Sequence, residues 1–262
     1  MNELKNKRLF LLDMDGTIYL DNDLFDGTLD FLAHVKKIGG RYIFLTNNSS
    51  KSVDKYIEKL AKLGIESCAD DFLTSTNATI IYLKKQNYKK IYASGTTSFR
   101  EQLSDAGLPV TDTLSDDIDC LCMGNDTELT FQKLEDACIL LGRGVDYIAT
   151  NPDWVCPTWY GYVPDCGAVC DMLFRATKRK PKFIGKPEPD MALMAMEKTG
   201  FSPEETALMG DRLYTDIACG VNAGITTIFV LSGEGTMEDV AESEEKPTLI
   251  YKNIREVYED MK

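Results

Sequence analysis

The sequence predicts an α/β fold, in which a Rossmann-like parallel sheet with helices on both faces is interrupted by a second, inserted α/β domain. Short apolar runs rich in β-branched and aromatic residues alternate with helical patterns, which is typical of buried parallel strands. The stretch between the second and third runs is far longer than the usual connection of about 2–6 residues. The four runs cover residues 8–12, 41–45, 206–209 and 226–230.

The long stretch between these runs repeats the same alternation, which predicts a domain of its own. Its predicted strands and helices cover residues 90–93, 119–123 and 146–149, and residues 98–106, 130–141 and 166–177, respectively. A basic run broken by proline, residues 178–182, follows the last of these helices and indicates the exit. We therefore predict a core formed by residues 1–86 and 181–262 and an inserted domain formed by residues 87–180.

Charge and hydropathy limit the possible classes of function. The 262 residues carry a formal net charge of −13, which opposes nonspecific binding to nucleic acid because phosphates attract a basic face. No apolar run reaches the ~18 residues of a membrane span, and the early apolar stretch ends at Asp13, so no signal peptide is indicated. We expect a soluble, cytoplasmic protein that binds neither nucleic acid nor membrane.

The cysteines and the histidine offer little evidence for chemistry. Eight cysteines are too sparse for a disulfide-stapled scaffold, and we interpret them as reduced thiols of the core. Cys166 and Cys170, one helical turn apart, leave a zinc site as the alternative, although no CxxC pair supports it. The only histidine, His34, falls in a helical pattern, so a Ser-His-Asp hydrolase is not expected.

Two carboxylates directly follow the first predicted strand. Asp13 and Asp15 belong to the run Asp-Met-Asp-Gly-Thr, in which Gly16 permits a tight turn. In open parallel sheets ligands bind beyond the carboxyl ends of the strands, and buried charges there need a partner such as a cation. An Asp-Gly pair also closes ordinary turns, which is the alternative for this motif taken alone.

The second predicted strand ends in a cluster of hydroxyls and amides. Thr46 and Asn47 lie nearest the strand end, and they are candidates to hold a phosphate group. Ser50 and its neighbouring serines are interpreted instead as capping residues of a helix that begins near Lys51.

Two further acids and one lysine complete the set. Asp211 directly follows the third predicted strand, and Asp216 comes five residues later, where a first-turn helix acid is the alternative. Lys186 precedes a predicted helix and can supply a cation, although a solvated loop lysine is the ordinary reading. Because zinc would recruit cysteine or histidine, several carboxylates with one lysine favour the harder, oxygen-seeking Mg²⁺.

Taken together, these residues resemble the four motifs of the haloacid dehalogenase-like superfamily. The insert, with the run Ala-Thr-Asn-Pro-Asp at residues 149–153, is similar to the C2-type cap of the NagD-like, 4-nitrophenylphosphatase-like branch. The motifs are the run from Asp13 to Thr17, the pair Thr46 and Asn47, Lys186, and the run from Gly210 through Asp216.

The resemblance implies a magnesium-dependent phosphatase. Its substrates would be small phosphate monoesters, such as sugar phosphates, nucleotides or similar metabolites, and p-nitrophenyl phosphate in vitro. Asp13 would attack phosphorus to form an aspartyl phosphate, while Asp15 would supply and recover the proton. The Mg²⁺ ligands would be Asp13, the backbone carbonyl of Asp15, Asp211 and, through water, Asp216. The phosphoryl oxygens would be held by Thr46, Asn47 and Lys186.

The insert is expected to act as a mobile lid that selects substrates, because it interrupts the core between two strand ends that bind phosphate. Asn151, Asp153 and the aromatic run of residues 154–162 are candidates to face the leaving group. For Trp154 and Trp159, a place in the core of the inserted domain is the alternative.

Other classes of function stay open at this point. A metal-dependent glycosyltransferase would use Asp13 and Asp15 to hold a nucleotide sugar through a divalent ion, but Lys186 and Asp211 at strand ends argue against it. A catalytically inactive phosphate-binding module is opposed by the presence of both Asp13 and Asp15. Phosphotransfer to a second substrate also remains open, since one aspartyl phosphate serves both outcomes.

Overall fold

The computed structural model describes residues 3–158 and 161–262. The strands are β1 (Leu9–Leu12), β2 (Tyr19–Leu20), β3 (Asp23–Leu24), β4 (Arg41–Thr46), β5 (Phe72–Thr74), β6 (Ile91–Ser94), β7 (Val110–Thr111), β8 (Cys120–Met123), β9 (Asp146–Ala149), β10 (Val155–Thr158), β11 (Gly161–Pro164), β12 (Lys182–Phe183), β13 (Thr206–Gly210), β14 (Thr226–Val230) and β15 (Leu249–Tyr251). The α-helices are α1 (Thr28–Lys37), α2 (Val53–Lys62), α3 (Ser75–Lys84), α4 (Thr97–Asp105), α5 (Phe131–Arg143), α6 (Cys166–Thr177), α7 (Asp190–Thr199), α8 (Ala218–Asn222), α9 (Met237–Glu242) and α10 (Ile254–Met261).

The chain forms two compact units. The first comprises Met1–Thr46, Val53–Leu73 and Lys186–Lys262, and the second comprises Asn47–Ser52 and Thr74–Gly185. The predicted insert, residues 87–180, falls within the second unit, which also takes in α3 and the segment that follows β4. The roles of catalytic core and cap stay a prediction.

The first unit is built on a sheet of six strands in the order β15-β14-β13-β1-β4-β5. The central strand β1 is fully buried and pairs in parallel with β4 and β13, so that Leu12 lies opposite Phe44 and Met209. A continuous apolar run is what a strand covered on both faces requires. This register brings the carboxyl ends of β1, β4 and β13 to one edge of the sheet.

The second unit contains a parallel sheet in the order β12-β9-β8-β6-β7 and an antiparallel hairpin formed by β10 and β11. Its helix α5 shows how local sequence sets the bounds of an element. The Thr130 side chain accepts a hydrogen bond from the Lys133 N–H at the start, and Gly144 ends the helix with φ +83°. Each unit therefore contains a parallel sheet together with helices, and the predicted α/β class is confirmed.

All eight cysteines are free thiols, as the sequence predicts. Most of them are buried, but Cys68 is exposed, so the interpretation as core thiols is wrong for this residue. Within residues 3–158 and 161–262, no helix is both long enough and apolar enough to cross a membrane.

Candidate active site

Lys186 lies between two carboxylates in the first unit. Its Nζ donates to Asp13 Oδ1 and to Asp216 Oδ1, at 2.6 Å in both cases, and lies 3.4 Å from the carbonyl oxygen of Leu45. Burial lowers the pKa of this lysine, but Asp13 and Asp216 together outweigh burial and raise it above the ordinary value. The ammonium is therefore charged, and it is not the solvated loop lysine of the alternative reading.

Asp13 directly follows β1, and its backbone N–H donates to the Met209 carbonyl at 2.9 Å. Burial raises the pKa of its carboxyl group to about 8; the Lys186 ammonium opposes this rise, whereas Asp216 and Asp211 add to it. The surroundings of Asp13 thus disfavour its negatively charged form, because they compensate that charge only in part. Such a position favours the binding of a further cation.

Asp211 follows β13 and is held by donors from two loops. Its Oδ2 accepts a hydrogen bond from the Glu234 backbone N–H at 2.7 Å, and its Oδ1 lies 3.4 Å from Thr17 Oγ1. Gly16 and Gly233 pass so close to this carboxylate that a Cβ at either position would collide with it. Burial, and next to it the charge of Asp216, raises the pKa of Asp211 to about 6.

Asp216 lies in a π-helical turn, Leu213–Ile217, that leads into α8. Its Oδ2 accepts from the Arg212 backbone N–H at 3.1 Å, while its Oδ1 accepts from Lys186. π-Helical turns are rare in proteins, and those that occur are often found at functional sites. Asp216 therefore both holds the start of its own turn, as the helix-acid alternative suggests, and orients Lys186.

The carboxylates of Asp13, Asp211 and Asp216 form a group whose ligand oxygens all lie within 4.8 Å of one another. In the part of the chain that the structure describes, this is the only cluster of acidic, cysteine or histidine side chains with that geometry, and it contains no thiol. Three carboxylates grouped in this way suit a hard divalent cation that prefers oxygen ligands. The residues present therefore fit Mg²⁺ better than zinc.

Asp15 differs from Asp13 in its surroundings. Its side chain is 54% exposed, and its Oδ2 lies 3.8 Å from the ammonium of Lys59, which stacks over the Tyr19 ring at 3.7 Å from the centroid. A turn follows Asp15, in which the Gly16 N–H donates to the Tyr19 carbonyl at 2.8 Å. Alternate residues beyond β1 thus present one carboxylate to the buried cluster and one to solvent.

The two candidates at the end of β4 fall in different units. Thr46 is buried and is the last residue of the first unit before the chain enters the second unit at Asn47. There the Asn47 amide donates to Asp153 Oδ1 at 3.0 Å, and Asn151 donates to Asp165 Oδ1 at 3.2 Å. Roles of Asn151 and Asp153 toward a leaving group stay a prediction.

One of the serines after Asn47 does not have the capping role expected from the sequence. Helix α2 begins at Val53, and Ser49 is fully buried well before it. Its Oγ instead accepts a hydrogen bond from the Asn125 backbone N–H at 2.8 Å. The capping interpretation is therefore wrong for Ser49.

The aromatic candidates lie around the β10–β11 hairpin. Trp154 and Tyr162 are 58% and 66% exposed, respectively, so Trp154 is not part of the core of the second unit. Trp159 lies outside the described residues.

The sequence analysis does not identify the positioning residues in the loop that follows β14. Ser232 Oγ donates to the Gly16 carbonyl at 2.7 Å, and the backbone N–H of Gly235 donates to the Asp211 carbonyl at 3.1 Å. The Glu234 side chain pairs with Arg212 at 2.8 Å. Gly233 and Gly235, in the loop after a buried strand, are the signal that could have indicated this close approach.

Comparison with known proteins places these observations in a family. Residues 10–109 match the family described as haloacid dehalogenase-like hydrolase, and residues 183–257 match a second description, HAD-hydrolase-like. An acid sugar phosphatase of Staphylococcus aureus is 33% identical over 259 residues, which cover 98% of this chain and 99% of the relative.

Solved structures agree with this result. A 4-nitrophenylphosphatase from Thermotoga maritima superposes with a TM-score of 0.94 at 39% identity and covers 99% of both chains. A glycerol phosphate phosphatase from Mycobacterium tuberculosis, in complex with calcium, gives a TM-score of 0.89 at 27% identity, over 97% of this chain and 75% of the other.

Proposed function

The chain belongs to the haloacid dehalogenase-like hydrolase family and is a phosphoric monoester hydrolase, and we propose that it uses Mg²⁺ and an aspartyl phosphate formed on Asp13. The observation that carries this proposal is the position of Lys186 Nζ, 2.6 Å from both Asp13 and Asp216. A nucleophilic carboxylate beside a fixed ammonium is suited to a phosphoryl group, whose negative charge both the ammonium and a metal ion can balance.

In the first half of the reaction, Asp13 attacks phosphorus and the bond between phosphorus and the leaving oxygen breaks. Asp15, which is accessible to solvent, gives a proton to that leaving oxygen. In the second half, water attacks the phosphorus of the aspartyl phosphate, Asp15 takes up a proton from the water, and the Asp13 carboxylate is restored together with inorganic phosphate.

Asp13, Asp211, Asp216 and the backbone carbonyl of Asp15 would hold Mg²⁺, whose charge offsets that of the phosphoryl oxygens. Thr46, Asn47 and Lys186 would hold those oxygens during the transfer. The glycosyltransferase alternative loses its support, since the relatives are phosphatases and Lys186 has a place in the carboxylate cluster.

The substrate class is proposed from the relatives. Those named for their substrates act on sugar phosphates, glycerol phosphate or p-nitrophenyl phosphate, which are all small monoesters. We infer that a small phosphorylated metabolite of this size is the substrate of this chain. A screen of phosphate monoesters, ranked by kcat/KM, tests this inference.

Removal of the metal is expected to stop the reaction. Hydrolysis of p-nitrophenyl phosphate should fall by at least about 100-fold in excess EDTA, because a catalytic metal ion contributes several kcal/mol of charge stabilisation. Release of free phosphate is the measurement, since it also separates hydrolysis from phosphotransfer. EDTA that has been saturated with Mg²⁺ is the control and should leave activity intact. Undiminished turnover in metal-free buffer would contradict the proposal.

Substitution of Asp15 by asparagine is expected to depend on the leaving group. For glycerol phosphate, whose alkoxide needs a proton, kcat/KM should fall by about 10²–10⁴-fold. The loss for p-nitrophenyl phosphate should be smaller, because nitrophenolate departs with little help from an acid. Asp21→Asn is a matched control, since Asp21 is an exposed acid in a turn at φ +52°, a conformation that asparagine tolerates. Equal losses on both substrates would argue that Asp15 is not the general acid.

A further inference from the structure

The segment that carries Asn47 is fixed by side chains of the second unit. Ser75 Oγ donates to the Asn47 carbonyl at 2.6 Å, which holds the backbone of this residue. Two residues later, the buried Ser49 Oγ lies 2.8 Å from the Asn125 N–H and 3.1 Å from Thr150 Oγ1. The backbone around Asn47 is therefore held by groups just beyond the carboxyl ends of β8 and β9 and at the start of α3.

The side-chain amide of Asn47 is fixed as well. Its Nδ2 donates to Asp153 Oδ1 at 3.0 Å, and both residues are only 6% exposed. On the other side of the amide, a Cβ added to Gly185 would lie 2.6 Å from Asn47 Oδ1, so the absence of a side chain there lets the amide pack closely. The amide thus has a carboxylate against its nitrogen and a glycine against its oxygen.

The chemistry of a carboxylate determines which way this amide points. An ionised carboxylate only accepts hydrogen bonds, so it selects the amide orientation that turns the NH₂ group toward it. The NH₂ group carries two N–H donors, and one of them is directed at Asp153. Asp153 cannot itself bind a phosphoryl group, because both are negatively charged and neither has a donor. It can act on phosphate only through a neighbour that donates.

We propose that Asp153 is a positioning residue for phosphate binding, which fixes the Asn47 side chain in the orientation in which it binds a phosphoryl oxygen. This inference rests on the proposed function, in which Asn47 holds the phosphoryl group. It also gives Asp153 a different role from the leaving-group contact expected from the sequence. Asp153 then affects phosphate affinity, and it does not affect the ranking of leaving groups.

The test uses the full-length protein with Mg²⁺ and inorganic phosphate as the probe, measured by isothermal titration calorimetry. Asp153→Ala is expected to weaken phosphate binding about tenfold, which is the usual cost of a hydrogen bond to a charged group. Asp153→Asn keeps an acceptor oxygen and should remain within about threefold of the parent. Asp153→Ser, whose hydroxyl is too short to reach the amide, serves as a second truncation if the alanine variant does not fold.

A double-mutant cycle separates positioning from independent binding. Asn47→Ala should weaken phosphate binding at least as much as Asp153→Ala, and the double variant should be no weaker than Asn47→Ala alone. Tyr92→Phe is the control, because it removes a buried 2.8 Å hydrogen bond to the Asp136 carboxylate in the same unit. It should lower the melting temperature and leave phosphate affinity unchanged.

Several results would overturn the inference. Unchanged phosphate affinity in Asp153→Ala, or additive losses in the cycle, would show that Asp153 does not act through Asn47. A changed ranking of leaving groups in Asp153→Asn would assign Asp153 to leaving-group contact instead. Failure of the proposed function itself looks different, because the parent protein would then neither bind phosphate nor release it from p-nitrophenyl phosphate.

Discussion

Replacement of Asp13 by asparagine is expected to abolish phosphatase activity, with a loss on the order of 10⁴-fold or more in kcat/KM for p-nitrophenyl phosphate. The substitution is nearly isosteric, but it removes the oxygen that attacks phosphorus. Lys186 keeps its second partner, Asp216, at 2.6 Å. The amide therefore replaces the nucleophile, while the hydrogen bond between Lys186 and Asp216 is retained.

Two measurements distinguish loss of the nucleophile from loss of the fold. After acid quenching, the parent protein should retain label from a ³²P-labelled monoester as a covalent adduct, and the Asp13→Asn variant should retain none. The melting temperature in EDTA should not fall, because a pKa of about 8 for Asp13 means that its surroundings disfavour the charged form. Retention of parental activity would point to a different nucleophile, and a large drop in melting temperature would make the activity result uninformative about chemistry.

The strands of the first unit that contribute to the site follow directly from the sequence. Strands β1, β4, β13 and β14 are continuous apolar runs, because each is covered on both faces, and their predicted bounds agree with the structure within a residue. The two-residue strands β7 and β12 lack such runs and were not predicted. Their pairing is set by neighbours in the sheet, and a stretch of two residues carries no periodicity of its own.

The carboxylate cluster was predictable for a related reason. Asp13 and Asp211 stand at strand ends, and parallel strands in one sheet end at a common edge. Lys186 and Asp216 could be named as candidates, but their hydrogen bond joins residues 30 apart through a π-helical turn that has no sequence signature. The Glu234 N–H was missed because a backbone donor is the same for almost every residue type.

The pairing of Asn47 with Asp153 also could not be predicted from the sequence. Both residues were singled out from the sequence, each for its own motif, but they are 106 residues apart and lie on different elements. Only the folded chain brings the amide to the carboxylate. The sequence therefore indicated which residues are chemically suited to the site and could not indicate that one of them orients the other.

Replacement of Lys186 by methionine is expected to lower both activity and stability. Activity should fall by about 10³-fold, because the lost ammonium no longer offsets the charge of the transferring phosphoryl group. Methionine has a similar length, so the change is mainly one of charge. The pKa of Lys186 is raised because Asp13 and Asp216 outweigh its burial, so the ammonium is charged at every pH at which the enzyme would be assayed.

The effect on stability gives this prediction a second, independent measurement. Without Lys186, Asp13 and Asp216 lose a shared partner at 2.6 Å, and breaking a buried ion pair costs about 3–5 kcal/mol. The melting temperature in EDTA should therefore fall. Mg²⁺ should raise it more in Lys186→Met than in the parent, because the cation then balances carboxylate charge that Lys186 balances in the parent. Lys198→Met is the matched control, since Lys198 pairs with Asp70 near the surface and should change neither quantity. An unchanged melting temperature in EDTA would mean that Lys186 does not hold the carboxylates together.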